Sequence, residues 1–167
     1  MPNRWKPNVT VAAVVERDGR FLLVEEQTSN GLRLNNPAGH LDPGESLVQA
    51  CVRETLEETA FAFEPDSLVG IYMTAPQGAA SGTVSPGKRG ITYLRFAFRG
   101  VLGACDPQRP LDSGIVRTVW MSPQEIRASR DRHRSPVLLS CVEDYLSGKR
   151  FPLHLLTSDF GQRADAV

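Results

Sequence analysis

The sequence predicts an α/β sandwich with a mixed sheet, because short apolar strands alternate along the chain with helix-forming segments. Residues 91–101 alternate in polarity, as expected for a strand with two different faces. Residues 46–59 contain neither Gly nor Pro and carry apolar side chains at helical spacing. A chain of 167 residues can form one domain with a sizeable core, which we expect over residues 1–156, followed by a frayed tail at 157–167.

The composition favours neither a nucleic acid polymer nor a membrane as partner. Nineteen basic and nineteen acidic residues cancel, so no overall field attracts a polyanion or a membrane surface. No apolar run reaches membrane-spanning length, and the N-terminal residues lack the apolar core of a signal peptide. Cys51, Cys105 and Cys141 are odd in number and have no zinc-binding spacing, which predicts reduced thiols in the cytoplasm.

The elements before the first helix are short. A hairpin is predicted from a Val-rich strand at residues 9–15, a turn at 17–19 and a returning strand at 21–24. A polar loop at residues 25–31 and an extended piece at 32–36 follow. Pro37 disfavours a helix at the preceding residue, and Gly39 lets the backbone approach a ligand closely.

The first helix is predicted over residues 46–59, after a Pro-Gly turn. Its apolar-leaning side, which we expect to be buried, consists of Val48, Val52, Thr55, Leu56 and Thr59. Glu54, Glu57 and Glu58 fall on the opposite side at i, i+3 and i+4 spacing. These like charges repel one another, and a hard divalent cation would reverse the repulsion. The alternative is a solvated acidic face on which Arg53 forms a surface ion pair.

Further strands and two more helices are predicted after residue 60. Strands are predicted at 67–73, 91–101 and 115–121, with an edge strand at 150–156. A glycine-rich loop is predicted at 75–90 and a helix at 136–146. The other helix begins at Ser122, which is a hydroxyl cap followed by Pro123 and, three residues after the cap, by Glu125.

The order of residues around the first helix resembles the box of the Nudix family, G-x5-E-x7-R-E-u-x-E-E-x-G-u, where u is apolar. The long fixed spacing makes this pattern specific. It is matched in order by Gly39, Glu45, Arg53, Glu54, Glu57 and Glu58. Ala60 stands where the box has its late glycine, at a position where glycine eases the left-handed turn that ends a helix.

This resemblance implies the Nudix fold, an α/β/α sandwich, and hydrolysis of a diphosphate bond with Mg²⁺, or alternatively Mn²⁺. It implies that the metal is held by Glu54, Glu57, Glu58 and the backbone carbonyl of Ala38. Glu54 or Glu58 would also orient or deprotonate the attacking water, and the sequence leaves open which of them does so.

The other box residues are expected to shape the site. Arg53 is expected to belong to the catalytic set together with Glu54 and Glu58. Its expected role is an ion pair with Glu45 that holds the box loop on the helix. Gly39 is expected to be structural as well. An ordinary acid at the helix N-terminus is the alternative for Glu45.

Three residues outside the acidic set are candidate substrate contacts. Arg95 can donate to phosphate oxygens, and Tyr93 on the same strand face can supply a stacking ring. His40, next to the box glycine, can donate to a phosphate. The alternatives are a strand arginine with its own partner and a histidine that is merely packed. Asp112 is the candidate for an additional acid from a late loop.

Segments outside the box, among them VTVAAVV, NNPAGHLDPGESLVQA, YLRFAF, RSPV and SGKRFPL, resemble one subfamily of bacterial Nudix phosphatases. That likeness implies phosphate release from small molecules: nucleoside di- and triphosphates and the thiamine precursor hydroxymethylpyrimidine diphosphate. The expected protein is a monomer or a homodimer. The alternatives are a Nudix pyrophosphohydrolase acting on ADP-ribose or a modified nucleoside triphosphate, and a non-catalytic nucleotide-binding module.

Overall fold

The computed structural model describes residues 5–75 and 90–160, which form two β-sheets and three α-helices. The strands are β1 (Asn8–Val14), β2 (Glu16–Arg17), β3 (Arg20–Thr28), β4 (Gly31–Asn35), β5 (Ala38–His40), β6 (Phe61–Thr74), β7 (Tyr93–Cys105), β8 (Ile115–Met121) and β9 (Phe151–Pro152). The helices are α1 (Leu47–Thr59), α2 (Pro123–Ala128) and α3 (Val137–Leu146). None of these helices is long and apolar enough to cross a bilayer.

The larger sheet is mixed, as predicted. Its strands lie in the order β5-β1-β7-β6-β9, and in the second sheet β3 pairs with β2, β4 and β8. Strands β1 and β7 run parallel, with Asn8 opposite Tyr93. The remaining pairs in this sheet are antiparallel. The parallel pair of β1 and β7, which are far apart in sequence, therefore lies in the interior of the sheet.

Helices cover both faces of the mixed sheet, which confirms the α/β/α sandwich. Because successive side chains of a strand point to opposite faces, alternate residues of β1 enter two separate cores. Ala12 packs in the core that contains Leu138 of α3. Val11 packs in the core that contains Ala50 of α1. The site-bearing helix α1 therefore lies on one face and α3 on the other.

Helix α1 has defined ends. Ser46 is its N-cap, and the Ser46 and Gln49 side chains form a capping box. At the other end Ala60 adopts the left-handed conformation, with φ 60° and ψ 11°, and its N–H donates to the carbonyl of Leu56. The box position that usually holds glycine is thus left-handed in this chain too, and alanine carries the steric cost.

We expect Ala60→Gly to stabilise the protein by about 0.5–1 kcal/mol, because glycine removes the Cβ clash of the left-handed turn. The larger conformational entropy that glycine loses on folding offsets only part of this stabilisation. Urea denaturation measures the difference. The same change at Ala62, an exposed residue of β6, should instead destabilise. A lower stability of Ala60→Gly would contradict the expectation.

The predicted buried side of α1 is confirmed for Thr55 and Thr59 and is wrong for Val48, Val52 and Leu56. The buried residues of the helix are Ala50, Cys51, Glu54, Thr55, Glu58 and Thr59. Val48, Val52 and Leu56 are only partly buried. Two of the three acidic residues therefore face the protein interior. The threonines can replace apolar residues there because each hydroxyl donates to a carbonyl one turn earlier in the helix.

Several strands are longer than predicted. Strand β6 begins at residue 61 rather than 67, and Pro65 is accommodated beside a register shift. Strand β3 continues to Thr28 through the predicted loop, because it pairs there with β4 and β8. Only two residues of the predicted edge at 150–156 form a strand. The predicted loop at 75–90 and tail at 157–167 lie largely outside the described residues.

Glu25 on β3 is a buried carboxylate that ties the second sheet to the segment after α2. It accepts hydrogen bonds from Arg117 Nε at 2.6 Å and from Arg132 Nη2. The hydrogen bond from Arg117 holds the pKa of Glu25 below its ordinary value despite the opposing effect of burial. The charged form of Glu25 is therefore the one that the fold stabilises.

We expect Glu25→Gln to destabilise the protein by about 1 kcal/mol at neutral pH, a modest value because both arginines remain partly in water. The wild-type contribution is fully present above the ordinary glutamate pKa and is lost as pH falls through the lower folded value. Denaturation over a series of acid pH values should show the variant and wild type converging. Glu64→Gln, at an exposed position, is the control. A constant difference at all pH values would exclude this ion pair as the cause.

Candidate active site

Strand β5 places its backbone against two carboxylates of α1. Glu54 and Glu58 are each only 9% exposed. The N–H of Ala38 donates to Glu58 Oε2 at 2.8 Å. Gly39 lies so close to Glu54 that a Cβ at this position would be 2.1 Å from the carboxylate carbon. The box glycine is therefore required by the position of Glu54.

Arg53 organises the acidic edge from the solvent side. Its Nε and Nη2 donate to the two carboxylate oxygens of Glu45 at 3.0 and 2.6 Å, so the expected ion pair is present. Nη2 also donates to the carbonyl of His40 at 2.9 Å. Nη1 donates to Glu54 at 2.8 Å and to Glu57 at 3.1 Å. One guanidinium thus fastens the box loop to the helix and also contacts two of the candidate metal ligands.

Two carboxylates of α1, those of Glu54 and Glu58, are destabilised as anions by burial. Burial raises the pKa of Glu58 to about 8, and the charges of Glu54, Glu26 and Asp112 act in the same direction. Burial also raises the pKa of Glu54, although Arg53 opposes it. Buried like charges at this spacing are what a divalent cation would neutralise.

The donor set fits a hard divalent cation in chemistry. Carboxylate oxygens are the ligands that Mg²⁺ prefers, and Glu54, Glu57 and Glu58 supply them on one helix. Within residues 5–75 and 90–160, no three acidic, histidine or cysteine side chains already converge as a ready-made metal site. Ala38 contacts Glu58 through its N–H. Its carbonyl stays a predicted ligand.

Asp112 lies beside the acidic edge. The N–H of Asp112 donates to the carbonyl of Glu57 at 2.9 Å, which docks the loop before β8 onto α1. Its charge raises the pKa of both Glu54 and Glu58. The late-loop acid considered from the sequence is therefore close to the cluster.

A cavity of about 240 Å³ opens next to the box backbone. All three predicted substrate residues, Arg95, Tyr93 and His40, line this cavity. Its other lining residues are Thr10, Glu26, Asn35, Ala38, Gly39, Thr74, Arg134, Ser135 and Val137. Because Ala38 and Gly39 touch both the cavity and the carboxylates, a ligand in the cavity lies next to the acidic edge of α1.

Arg95 is the main cation of the cavity interior. Its Nη1 donates to Asn35 Oδ1 at 3.3 Å. Burial lowers the pKa of the guanidinium, and the carboxylates of Glu26 and Glu58 act in the opposite direction. Among the described residues no carboxylate comes within salt-bridge distance of it, so its charge is available to an anion. The rings of His40 and Tyr93 lie 6.1 Å apart, tilted by 54°.

The sequence did not predict seven of the cavity residues: Thr10, Glu26, Asn35, Thr74, Arg134, Ser135 and Val137. Arg134 comes close to Glu26 because its backbone N–H donates to the carbonyl of Leu34 on β4, at 2.8 Å. The RSPV segment, which begins at Arg134, was the available sequence signal. Thr10 carries no local signal, because the pairing of β1 with β5 and β7 brings it to the cavity.

Comparisons with known proteins agree with this geometry. The NUDIX domain family matches residues 5–140. Phosphatase NudJ of Escherichia coli strain K12 is 39% identical over 153 residues, which cover 91% of this chain and 92% of NudJ. The resemblance to a bacterial phosphatase subfamily is thereby confirmed.

Solved structures show the same likeness. A NUDIX hydrolase from Nitrosomonas europaea is 51% identical, with a TM-score of 0.84 over 94% of this chain and 100% of that chain. A MutT protein from Methanosarcina mazei, at 20% identity, has a TM-score of 0.67 over 88% of this chain and 99% of that chain, and it shows the shared fold.

Proposed function

Since the chain belongs to the Nudix hydrolase family, we propose that it is a Mg²⁺-dependent phosphatase that cleaves diphosphate bonds in nucleoside di- and triphosphates and in hydroxymethylpyrimidine diphosphate. One observation carries the proposal. Two buried carboxylates of α1, Glu54 and Glu58, meet the backbone of β5 at the edge of a cavity lined by the Arg95 guanidinium. The 39% identity to a protein named phosphatase supports phosphate as the product.

Glu54, Glu57 and Glu58, with the Ala38 carbonyl, would hold the metal ion. When bound, Mg²⁺ supplies charge neutralisation for the phosphate oxygens and lowers the pKa of water. Glu54 or Glu58 orients the attacking water or accepts its proton, and the charge coupling between them supports either assignment.

The remaining box residues keep this arrangement in place. Arg53 and Glu45 fix the loop that follows β5, and Gly39 leaves room for the Glu54 carboxylate. In the cavity, Arg95 donates to a phosphate of the substrate. Tyr93 and His40 stand at the same cavity, where they supply ring surface and a further donor.

A product assay tests the proposal. Purified protein with Mg²⁺ should release phosphate from at least one member of a panel of nucleoside di- and triphosphates and hydroxymethylpyrimidine diphosphate. EDTA should abolish turnover, and Mg²⁺ or Mn²⁺ should restore it. Pyrophosphate or two monophosphates as products would instead support a pyrophosphohydrolase acting on ADP-ribose or a modified nucleoside triphosphate. Binding without turnover would indicate a non-catalytic nucleotide-binding module.

We also propose a cytoplasmic location. Cys51, Cys105 and Cys141 are all free thiols, and Cys51 and Cys141 are buried, which supports a reducing compartment.

The zero net charge supports a small substrate rather than a polyanionic polymer. A monomer or homodimer suffices for this activity, because the acidic edge and the cavity lie within one chain.

A further inference from the structure

The hydroxyl of Thr10 is buried without a partner. Thr10 is 6% exposed. Its Oγ1 has no hydrogen-bond partner among the described residues. A buried hydroxyl that forms no hydrogen bond costs free energy relative to the same group in water, so most such groups are satisfied by protein, water or ligand. Thr10 also lines the cavity at the acidic edge of α1. A ligand in this cavity can therefore satisfy the hydroxyl.

The position of Thr10 in the sheet shows what kind of ligand atom it meets. Thr10 lies opposite His40 on β5 and opposite Arg95 on β7. These three side chains form a row across three adjacent strands, at a spacing of about 4.8 Å per strand. All three line the same cavity. A hydroxyl between a guanidinium and an imidazole is suited to an anionic acceptor that contacts more than one of them.

Arg95 has charge to offer such an acceptor. Its described hydrogen bond goes to the neutral amide of Asn35, at 3.3 Å, which is longer than a usual N–H···O bond. The Thr10 hydroxyl can be turned toward the cavity by a change between staggered χ1 rotamers, without movement of the backbone. The row therefore offers two or three donors to one anion.

We infer that Thr10 is a further substrate-binding residue, whose hydroxyl donates to a phosphoryl oxygen that Arg95 also contacts. The inference rests on the proposed function and deepens it, because it states that the part of the substrate beside Thr10 is a phosphate rather than a ring or a sugar. The Thr10 hydroxyl then has no hydrogen-bond partner among the described residues of the free protein and gains one when substrate binds. Thr10 thus lowers the stability of the free fold and strengthens substrate binding.

Thr10→Val tests this, because valine has nearly the shape of threonine without the hydroxyl. Isothermal titration calorimetry with methylenediphosphonate, a diphosphate analogue that is not hydrolysed, should give about 10- to 100-fold weaker binding in the variant. The titration is made with Mg²⁺ and again with EDTA. Thr10→Ser should bind like wild type. The melting temperature of Thr10→Val should equal or exceed that of wild type, because no hydrogen bond of the free fold is lost.

Thr118→Val, on β8 and outside the cavity, is the matched control and should leave the affinity unchanged. Adenosine, which lacks phosphate, provides the second arm. Equal weakening of adenosine binding by Thr10→Val would overturn the phosphate assignment. Unchanged methylenediphosphonate affinity, or a fall of several degrees in melting temperature, would overturn the role of the hydroxyl. If no substrate is hydrolysed but analogue binding depends on Thr10, the hydrolase proposal fails and this inference stands.

Discussion

Replacing Glu58 by Gln is expected to lower the rate of diphosphate hydrolysis by about 10²–10⁴-fold without loss of the fold. Glu54→Gln should have an effect of the same order. Both carboxylates are almost fully buried, face the β5 backbone and share one charge cluster. An amide keeps their shape but loses the charge that would hold a cation or accept a proton.

The stability of the Glu58 variant separates an effect on the site from an effect on folding. Burial raises the pKa of Glu58 to about 8 in the metal-free protein, so its neutral form is favoured by the fold. That contribution is fully present below the ordinary glutamate pKa and is lost as pH rises through about 8. Because Gln resembles the neutral acid, Glu58→Gln in EDTA should be at least as stable as wild type at alkaline pH.

Two measurements check this prediction. Initial rates with Mg²⁺ give the loss of activity, and urea denaturation in EDTA across the pH range gives the stability of each variant. Glu64→Gln, at an exposed residue of β6, should change neither quantity. Wild-type rates in both Glu54→Gln and Glu58→Gln would exclude the acidic edge of α1 as the active site.

Replacing Gly39 by Ala is expected to lower activity by about 100-fold, because a misplacement of about 1 Å at a reacting group has an effect of this size. The added Cβ would lie 2.1 Å from the Glu54 carboxylate carbon, whereas real contacts of this kind are essentially never under 3.0 Å. The group in its way is the flexible end of a side chain, so Glu54 can turn aside. The loss of stability should therefore be small compared with the loss of activity.

A double variant tests whether Gly39 acts through Glu54. Glu54→Asp shortens the side chain and withdraws the carboxylate from β5, so adding Gly39→Ala to it should cost much less than the 100-fold expected in wild type. Steady-state kinetics of the two single variants and the double variant give the coupling. Fully multiplicative losses would mean that Gly39 affects activity by a route independent of Glu54.

The acidic cluster shows what local sequence can and cannot establish. The spacing of Glu54, Glu57 and Glu58 predicts a shared helix face, and in the structure Glu54 and Glu58 are buried whereas Glu57 is partly buried. The expectation that Val48 and Val52 form the buried side was wrong, because a helical wheel weighs only polarity. The strand β5 that covers Glu54 and Glu58 belongs to another part of the chain, and no periodicity within the helix reports it.

Strands were predicted well where polarity alternates and poorly where pairing decides. The alternation over residues 91–101 placed Tyr93 and Arg95 on one face, and both line the cavity. The polar residues 25–31 predict a loop that includes Glu26, yet β3 continues there between two partner strands. Thr10 and Asn35 reach the cavity only through sheet register, which is a long-range property.

The parallel pairing of β1 with β7 also bears on how the protein is made. Strand β1 leaves the ribosome well before the partner that fixes it at the centre of the sheet, which begins only at Tyr93. High contact order of this kind slows folding. Helix α1 packs in one core with Phe98 of β7, so the nascent chain carries an acidic helix with an incomplete core until β7 has been synthesised. Catalytic competence should therefore arise late in folding, together with the closing of the sheet.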